Sequence, residues 1–169
     1  MKKVLKFSGL IALVFGLVAF ILIMASHSLI HAENSGTWFS GISAVFGGGR
    51  GAVLGYEGDV DAKLAWTALI AWILILVAMI ILLAGVILPL LKVKALDKFA
   101  GVLNLVAVCS LVVAGILIFL TVPVFKTANE LGDAKYNLGG GYIAGGILAI
   151  VGGLIAILPA AVDFIGKKK

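Results

Sequence analysis

Two histidines near the end of the first apolar run have the type and spacing of a metal-binding pair. His27 and His31 are four residues apart, which places both imidazoles on one face if the segment is helical. Such pairs bind zinc when a third ligand completes the set. No fixed spacing selects that ligand, so the pair is a weak metal-site candidate, and histidines wetted by lipid headgroups are the alternative. The nearest acids are Glu33, Glu57, Asp59 and Asp61.

Three of these acids, Glu57, Asp59 and Asp61, also form a patch before the second apolar run. Calcium loops of the EF-hand type are closed by a glutamate at a fixed position, and that glutamate is missing here. Acids near a helix N-terminus stabilise the helix dipole and its unpaired N–H groups. We therefore expect Asp61 to cap the helix that follows.

The other reactive or phosphate-binding patterns are incomplete. Glycines surround Arg50 in the segment 47–51, but no Gly-Lys-Ser/Thr follows and no strand and helix bracket them, so we expect a turn. Cys109 and Ser110 have no histidine or carboxylate in their apolar run, which leaves no nucleophile and base at bilayer depth. We expect Cys109 to pack between helices as a small apolar residue. The sequence thus predicts no catalytic residues and no cofactor.

The composition indicates that lipid surrounds these residues. The chain of 169 residues is 63% hydrophobic and 12% charged, with a mean hydropathy of +1.24, whereas soluble domains carry about 25% charged residues. Its basic residues sit in short clusters beside apolar runs, so the net charge of +5 indicates membrane topology and not nucleic-acid binding.

Four runs without Asp, Glu, Lys or Arg are each long enough for a transmembrane helix, which needs about 20 residues. Because unpaired backbone groups are costly in lipid, we predict helices. The expected fold is an all-α integral membrane protein, a bundle of four transmembrane helices. The predicted segments are helix 7–30, outer loop 31–63, helix 64–91, inner turn 92–98, helix 99–125, outer loop 126–137, helix 138–162 and inner tail 163–169.

Charge asymmetry predicts the orientation. The N-terminus, the inner turn and the C-terminal tail together carry nine lysines and two acids, and the outer loops carry four basic residues and six acids. By the positive-inside rule both termini are cytoplasmic, in the plasma membrane. Trp66 and Tyr142 should then lie in the outer headgroup region. The inner lysines are Lys2, Lys3, Lys6, Lys92, Lys94, Lys98, Lys167, Lys168 and Lys169.

The N-terminal segment has a second interpretation. Lysines followed by an apolar run and Ser28-Leu29-Ile30-His31-Ala32 resemble a signal peptide with a cleavage site. The apolar run is about twice the usual 7–15 residue core of such a peptide. We therefore favour a retained signal-anchor helix.

Small residues recur on single helical faces, as they do where membrane helices pack closely. Asn104, a polar residue inside the third run, should bond across helices. The same faces could pack within one chain or against a homo-oligomer or a larger membrane-protein partner, and both interpretations stay open. The face residues are Gly9, Ala12, Gly16 and Ala19 in the first run and Gly141, Gly145, Ala149 and Gly153 in the fourth.

The first outer loop is the largest segment outside the predicted helices. Two apolar stretches flank its glycine cluster, which favours a small β-hairpin. A short interfacial helix is the alternative, since Trp38, Ile42 and Val45 also fit helical spacing. Trp38, Arg50 and Tyr56 are the side chains that we expect to recognise a partner.

The arrangement resembles the claudin-like tetraspan group, with a short inner N-terminus, a longer first outer loop containing Trp38 and strands, a tight inner turn and a shorter second outer loop. The likeness is one of topology, since the loop lacks the Gly-Leu-Trp triplet and the cysteine pair of claudins. The chain is also similar to uncharacterised small four-span membrane proteins of bacteria.

These observations predict a non-catalytic tetraspan membrane protein that acts as a scaffold or accessory subunit through helix–helix packing. A small oligomeric channel or transporter is the alternative, with a pore lined by the glycine face, although no charge lies within the four runs. A metal-dependent enzyme at His27 and His31 is a lesser alternative.

Overall fold

The computed structural model describes residues 2–33, 36–90 and 99–165, which form six helices and five strands. Four of these helices are long and apolar enough to cross a membrane. The predicted inner turn 92–98 and the lysines of the C-terminal tail lie outside the described residues. The helices are α1 (Lys2–Ala25), α2 (Gly41–Phe46), α3 (Trp66–Leu90), α4 (Ala100–Phe119), α5 (Thr121–Ala128) and α6 (Gly140–Ile165).

The strands form one antiparallel sheet in the order β4-β3-β2-β1-β5. Four strands come from the segment between α1 and α3, and the fifth immediately precedes α6. Since β1 pairs with both β2 and β5, the two predicted outer loops meet at one end of the bundle, which we call the sheet end. The strands are β1 (His27–His31), β2 (Trp38–Ser40), β3 (Arg50–Val53), β4 (Tyr56–Asp59) and β5 (Tyr136–Leu138).

The predicted hairpin and its helical alternative are both partly present in the first loop. Trp38 pairs with Ala52 and Phe39 with Gly51, as expected for a hairpin of β2 and β3. The short helix α2 lies in the connection between them. Three successive glycines, 47–49, then turn the chain with φ of 78°, 61° and 85°, a conformation that side-chain-bearing residues rarely adopt.

The long helices pack in a ring, with α1 and α4 each lying against α3 and α6. Short side chains occupy many interior positions beside larger ones such as Ile75 and Leu111, while other branched aliphatic side chains such as Ile80 and Val102 point outward. Small interior residues let helix backbones approach closely, which is the usual packing of membrane helices. The interior alanines are Ala12, Ala19, Ala68, Ala71, Ala78, Ala107, Ala114, Ala149 and Ala156.

The approach of α6 to α1 leaves no room for a larger residue on the facing side of α6. A Cβ on Gly145 would lie 3.1 Å from Ile23 Cγ1 and 3.3 Å from the Ala19 carbonyl oxygen. One on Gly152 would lie 3.4 Å from the Ala12 carbonyl oxygen. These glycines therefore place α6 against the backbone of α1.

The glycines of the predicted face on the fourth helix contact two different helices, α1 and α4. Gly141 and Gly145 lie against α1, whereas a Cβ on Gly153 would lie 2.8 Å from Val112 Cγ2 of α4. An α-helix has 3.6 residues per turn, so a four-residue spacing drifts by about 40° per step. Over three steps the face rotates from one neighbour to the next.

The other predicted packing residues lie at different depths in the bundle. A Cβ on Gly16 would lie 3.3 Å from Met79 Cγ of α3 and 3.7 Å from Leu111 Cδ2 of α4, whereas Gly9 has no such neighbour within 4 Å. Asn104 faces α3, since its Oδ1 lies 3.8 Å from the Cβ position of Gly85.

The first predicted helix was too long at its C-terminal end. It stops at Ala25, and residues 27–31 form β1, in which the Leu29 side chain is buried. A short apolar run fits a buried strand as well as a helix. The ladder hydrogen bonds on both sides of β1 decide in favour of the strand.

The third predicted helix is broken, because α4 ends at Phe119 and α5 begins at Thr121. Pro123 has no N–H to donate to the Phe119 carbonyl oxygen, so the helical ladder cannot continue through that position. Cys109 is exposed on the outside of α4, which corrects the expectation that it packs between helices. The flanking Val108 and Ser110 face the interior instead.

The boundaries of the second and fourth helices differ less from the prediction. The second runs from Trp66 to Leu90, and the fourth begins at Gly140, since β5 takes up Leu138. The expectation that Asp61 caps α3 was wrong. The chain before α3 is held along α2 instead, where the Ala65 N–H donates to the Ala44 carbonyl oxygen at 2.8 Å.

Adjacent glycines at the start of α6 provide a test of the α1–α6 contact. Gly141→Ala should lower the thermal unfolding midpoint in detergent by about 5 °C, because the new methyl group would overlap the Ser26 side chain and overpacking costs about 1–3 kcal/mol. Gly140→Ala makes the same change where no atom lies within 4 Å and should not lower it. Equal midpoints for the two variants would contradict this packing.

Candidate recognition surface at the sheet end

Three of the candidate residues line one pocket where α1 meets the sheet. His27 and Trp38 stack with ring centroids 4.0 Å apart and an interplanar angle of 24°, and Arg50 lines the same pocket of about 430 Å³. Met24 and Ile42 add apolar surface. An aromatic wall beside a guanidinium suits an apolar group that carries a carboxylate or phosphate. We call this the Trp38 pocket.

A serine network fixes the strands and the helix around the Trp38 pocket. Ser28 Oγ donates to the carbonyl oxygens of Phe39 and Ser40 at 3.1 and 2.9 Å, which ties β1 to β2. Ser40 Oγ caps α2 by accepting from the Ser43 N–H at 3.2 Å. Ser43 Oγ donates to the Arg50 carbonyl oxygen at 3.2 Å, which holds the start of β3. The backbone on both sides of Arg50 and Trp38 is therefore positioned by buried or half-buried hydroxyls.

Tyr142 supports this surface from below and does not face headgroups as predicted. It is fully buried, and its hydroxyl donates to the Gly41 carbonyl oxygen at 3.1 Å. Gly41 begins α2 where a Cβ would overlap the Ile23 carbonyl group. Contact between α1, α2 and α6 therefore requires a glycine at 41, and the buried phenol adds a hydrogen bond to the carbonyl oxygen of that glycine.

The histidine pair does not share a helical face. Both residues lie on β1, where a rise of about 3.3 Å per residue separates them by about 13 Å. His27 stacks on Trp38, while His31 packs edge-to-face on Tyr136 at 5.1 Å and its Nδ1 accepts from the Glu33 N–H at 3.2 Å. Within residues 2–33, 36–90 and 99–165, no three His, Cys, Asp or Glu side chains form a metal-ligating group.

Tyr56 lies apart from the Trp38 pocket, at the tip of the β3–β4 hairpin. Val53 pairs with Tyr56 across a two-residue turn in which Leu54 and Gly55 have φ of 54° and 86°. Positive φ at both central positions is typical of the type I′ turn. The Leu54 N–H donates to Thr37 Oγ1 at 3.1 Å and the Gly55 N–H to the backbone of residue 36 at 2.9 Å. The hairpin tip, residues 53–56, is therefore held in place on the sheet.

Leu54 is the residue of this surface that the sequence analysis missed. A branched residue in the left-handed region is an outlier and costs of order 1–3 kcal/mol. Its side chain is nevertheless 70% exposed, and that of Tyr56 is 85% exposed. The Leu-Gly pair between two strand-forming residues was the signal available, because two-residue hairpin turns favour glycine.

The acids of the first loop lie along the edge of the sheet. Glu57 and Asp59 are exposed on β4, whose only strand neighbour among the described residues is β3. Charged side chains on an edge strand disfavour pairing with another chain. The uncharged hairpin tip is therefore the more suitable part of this edge for protein contact.

Comparison of the sequence with known protein families and with curated proteins gives no match. The class of protein therefore rests on the fold. Four long apolar helices with a strand hairpin between the first two fit a tetraspan topology and are compatible with a multi-pass membrane protein.

The Tyr142 hydrogen bond can be tested with a conservative pair of variants. Tyr142→Phe should reduce the free energy of unfolding by about 1–2 kcal/mol and speed amide hydrogen exchange in α2, because the Gly41 carbonyl loses its buried donor. Tyr56→Phe removes an exposed hydroxyl and should change neither quantity. The assignment fails if α2 exchanges at the same rate in both variants.

Proposed function

We propose that this chain is a four-span protein of the plasma membrane, with the sheet end outside and both termini in the cytoplasm. The pairing of β1 with β5 supports it, since both predicted outer loops lie at one end of the bundle. The charge asymmetry supports placing the sheet end outside, because this end carries most of the acids. Nine lysines belong instead to the N-terminus, the predicted inner turn and the C-terminal tail.

The distribution of side-chain size supports insertion into lipid. In a soluble bundle the large aliphatic residues form the core, whereas here alanine and glycine occupy many interior positions beside Ile75 and Leu111, and most exposed side chains of the long helices are isoleucine, leucine or valine. Each long helix contains an apolar stretch of 18 to 22 residues that is long enough to cross a membrane. The aliphatic surface that these helices expose is compatible with hydrocarbon and not with water.

We further propose that the protein is a non-catalytic accessory or scaffold subunit that binds a partner through its sheet end. The observation that carries this is the hairpin tip, where Leu54 holds a strained backbone while its apolar side chain stays exposed. Glycine or asparagine would remove that strain. The free-energy cost of holding the apolar Leu54 side chain in this conformation is explained if a partner buries that side chain.

We therefore propose the sheet end, and not the helix faces, as the site of partner contact. Partner binding or a pore along the glycine face would need that face to be free, and Gly141, Gly145 and Gly153 lie against α1 and α4. The claudin-like resemblance enters the proposal as architecture alone, four helices with a strand-containing first loop.

Cysteine labelling tests the orientation. In a Cys109→Ser background, Tyr56→Cys should react with a membrane-impermeant maleimide in intact cells, because position 56 is exposed at the sheet end. Lys169→Cys should react only after the membrane is permeabilised. The reverse pattern would overturn the orientation, and equal labelling of both sites in intact cells would overturn the even number of spans.

Photo-crosslinking followed by one substitution tests partner binding. A photoreactive phenylalanine at position 56 should capture a membrane-protein partner, while the same group at Ile116, which faces outward from α4, should capture lipid. Leu54→Asn should then weaken binding to that purified partner by about tenfold or more, since a buried leucine contributes about 1.5–3 kcal/mol. Asparagine tolerates positive φ, so the unfolding midpoint should be unchanged or higher.

The control for this substitution is Leu64→Asn, which makes the same change outside the hairpin tip and should preserve binding. If Leu54→Asn binds the partner as well as the unmodified chain does, the hairpin tip is not the contact. If position 56 captures only lipid, the tip inserts into the headgroup layer and the accessory-subunit proposal is wrong.

A further inference from the structure

A second cavity at the sheet end lies on the side of α5 and β5, away from the Trp38 pocket. Its volume is about 830 Å³, and it is open to the surroundings. Residues of α5, of the turn that follows it and of β5 form its walls. The residues that matter below are Val122, Pro123, Lys126, Thr127, Glu130 and Lys135.

The lining changes from apolar to cationic along α5. Val122 and Pro123 lie in the first turn of α5, directly after the end of α4. Lys126 and Thr127 follow one turn later, about 6 Å further along the helix axis. The cavity therefore has an apolar part next to the long helices and a cationic part beyond them.

Lys126 and Lys135, the two lysines that line the cavity, are available to bind an anion. Among the described residues, the only ion pair joins Lys63 Nζ to Glu130 Oε1 at 3.3 Å. Lys126 and Lys135 therefore have no carboxylate partner there. Glu130, the one acid in the lining, is compensated by Lys63, which is not part of the lining.

The Lys63–Glu130 pair is held by backbone contacts and not by charge alone. Asn129 Oδ1 accepts from the Lys63 N–H at 2.6 Å, and Asn129 Nδ2 donates to the Lys63 carbonyl oxygen at 2.9 Å. The same Nδ2 donates to the Phe125 carbonyl oxygen at 3.0 Å. The end of the first loop is thereby fixed to the end of α5, which keeps Lys63 beside Glu130.

From this arrangement we propose that the cavity binds the phosphate group of an anionic phospholipid. Lys126 and Lys135 contact the phosphate, and the start of an acyl chain lies along Val122 and Pro123, whose carbonyl oxygen accepts from Thr127 Oγ1 at 2.9 Å. Lysine is a common phosphate ligand, and headgroups occupy the level at which membrane-spanning helices end. The inference rests on the proposed membrane insertion, because only then does a lipid reach the cavity.

The same lysines could accept inorganic phosphate, and the apolar first turn of α5 favours the lipid. A free phosphate ion gains nothing from Val122 and Pro123 and competes with water for exposed lysines. A phospholipid keeps its chains in the bilayer and presents its phosphate at the cationic part of the cavity.

Lipid retention by the full chain tests the proposal. The protein is reconstituted in nanodiscs of phosphatidylcholine with a minor share of phosphatidylglycerol, extracted in mild detergent and examined by native mass spectrometry. The unmodified chain should retain phosphatidylglycerol. Lys126→Gln with Lys135→Gln should reduce that retention by about tenfold or more, since each lysine attracts anionic lipid measurably.

Three further variants separate the cavity from general charge. Lys126→Arg with Lys135→Arg should keep the lipid, which also excludes misfolding as the cause of a loss. Glu130→Gln should raise retention, because it removes the acid of the lining. Glu57→Gln removes the same negative charge from β4, at the same end of the molecule but outside the cavity, and it should have no effect.

The outcomes distinguish this inference from the proposed function. Equal retention by the unmodified chain and the double glutamine variant, with both inserted in nanodiscs, overturns the lipid site and leaves the four-span proposal standing. Failure of the unmodified chain to insert overturns both. Displacement of phosphatidylglycerol by millimolar inorganic phosphate or glycerol phosphate identifies a free anion as the ligand and also overturns the lipid assignment.

Discussion

The close approach of α1 and α6 is the contact on which the rest of the structure depends. Gly145 lets α6 lie against the backbone of α1, since a Cβ there would be only 3.3 Å from the Ala19 carbonyl oxygen. β1 directly follows α1 and β5 directly precedes α6, so the strands begin with the separation of the helices. Strands pair at about 4.8 Å, and the Gly139 N–H continues this close contact by donating to the Ser28 carbonyl oxygen at 2.9 Å. The glycines of α6 thus bring the ends of α1 and α6 close enough for β1 and β5 to pair.

Once β1 is fixed, the remainder of the sheet end has little freedom. β1 pairs on both sides, Tyr142 holds the start of α2 from within the bundle, and Ser43 connects α2 to β3. The hairpin tip is in turn bonded to the chain just before β2. A surface supported in this way presents its apolar groups in one conformation, and preorganisation of this kind lowers the entropy lost in the partner binding that we propose.

The sequence predicts those parts of the fold that the hydrocarbon thickness dictates, and it misses those that depend on distant partners. The start of the second helix was placed two residues before the observed one, since the apolar run that forms this helix can be identified from the local sequence. The first was too long, because the strand 27–31 is decided by β5, more than a hundred residues away. Trp38 and Arg50 were identified as candidates from the sequence. The pocket that they share with His27 was not predicted, because it depends on the register of three strands. Leu54 was missed because hydropathy does not report backbone strain.

The way the bundle is filled limits where this protein can be specific. Its interior is filled by its own side chains, many of them alanines, and its four long apolar segments contain no Asp, Glu, Lys or Arg. Polar pathways through membrane proteins generally need such side chains. The outward helix faces carry branched aliphatic side chains that differ little from one another, so they distinguish poorly between partners. Aromatic, cationic and strained groups occur together at the sheet end, which is why we propose this end of the molecule as the recognition surface.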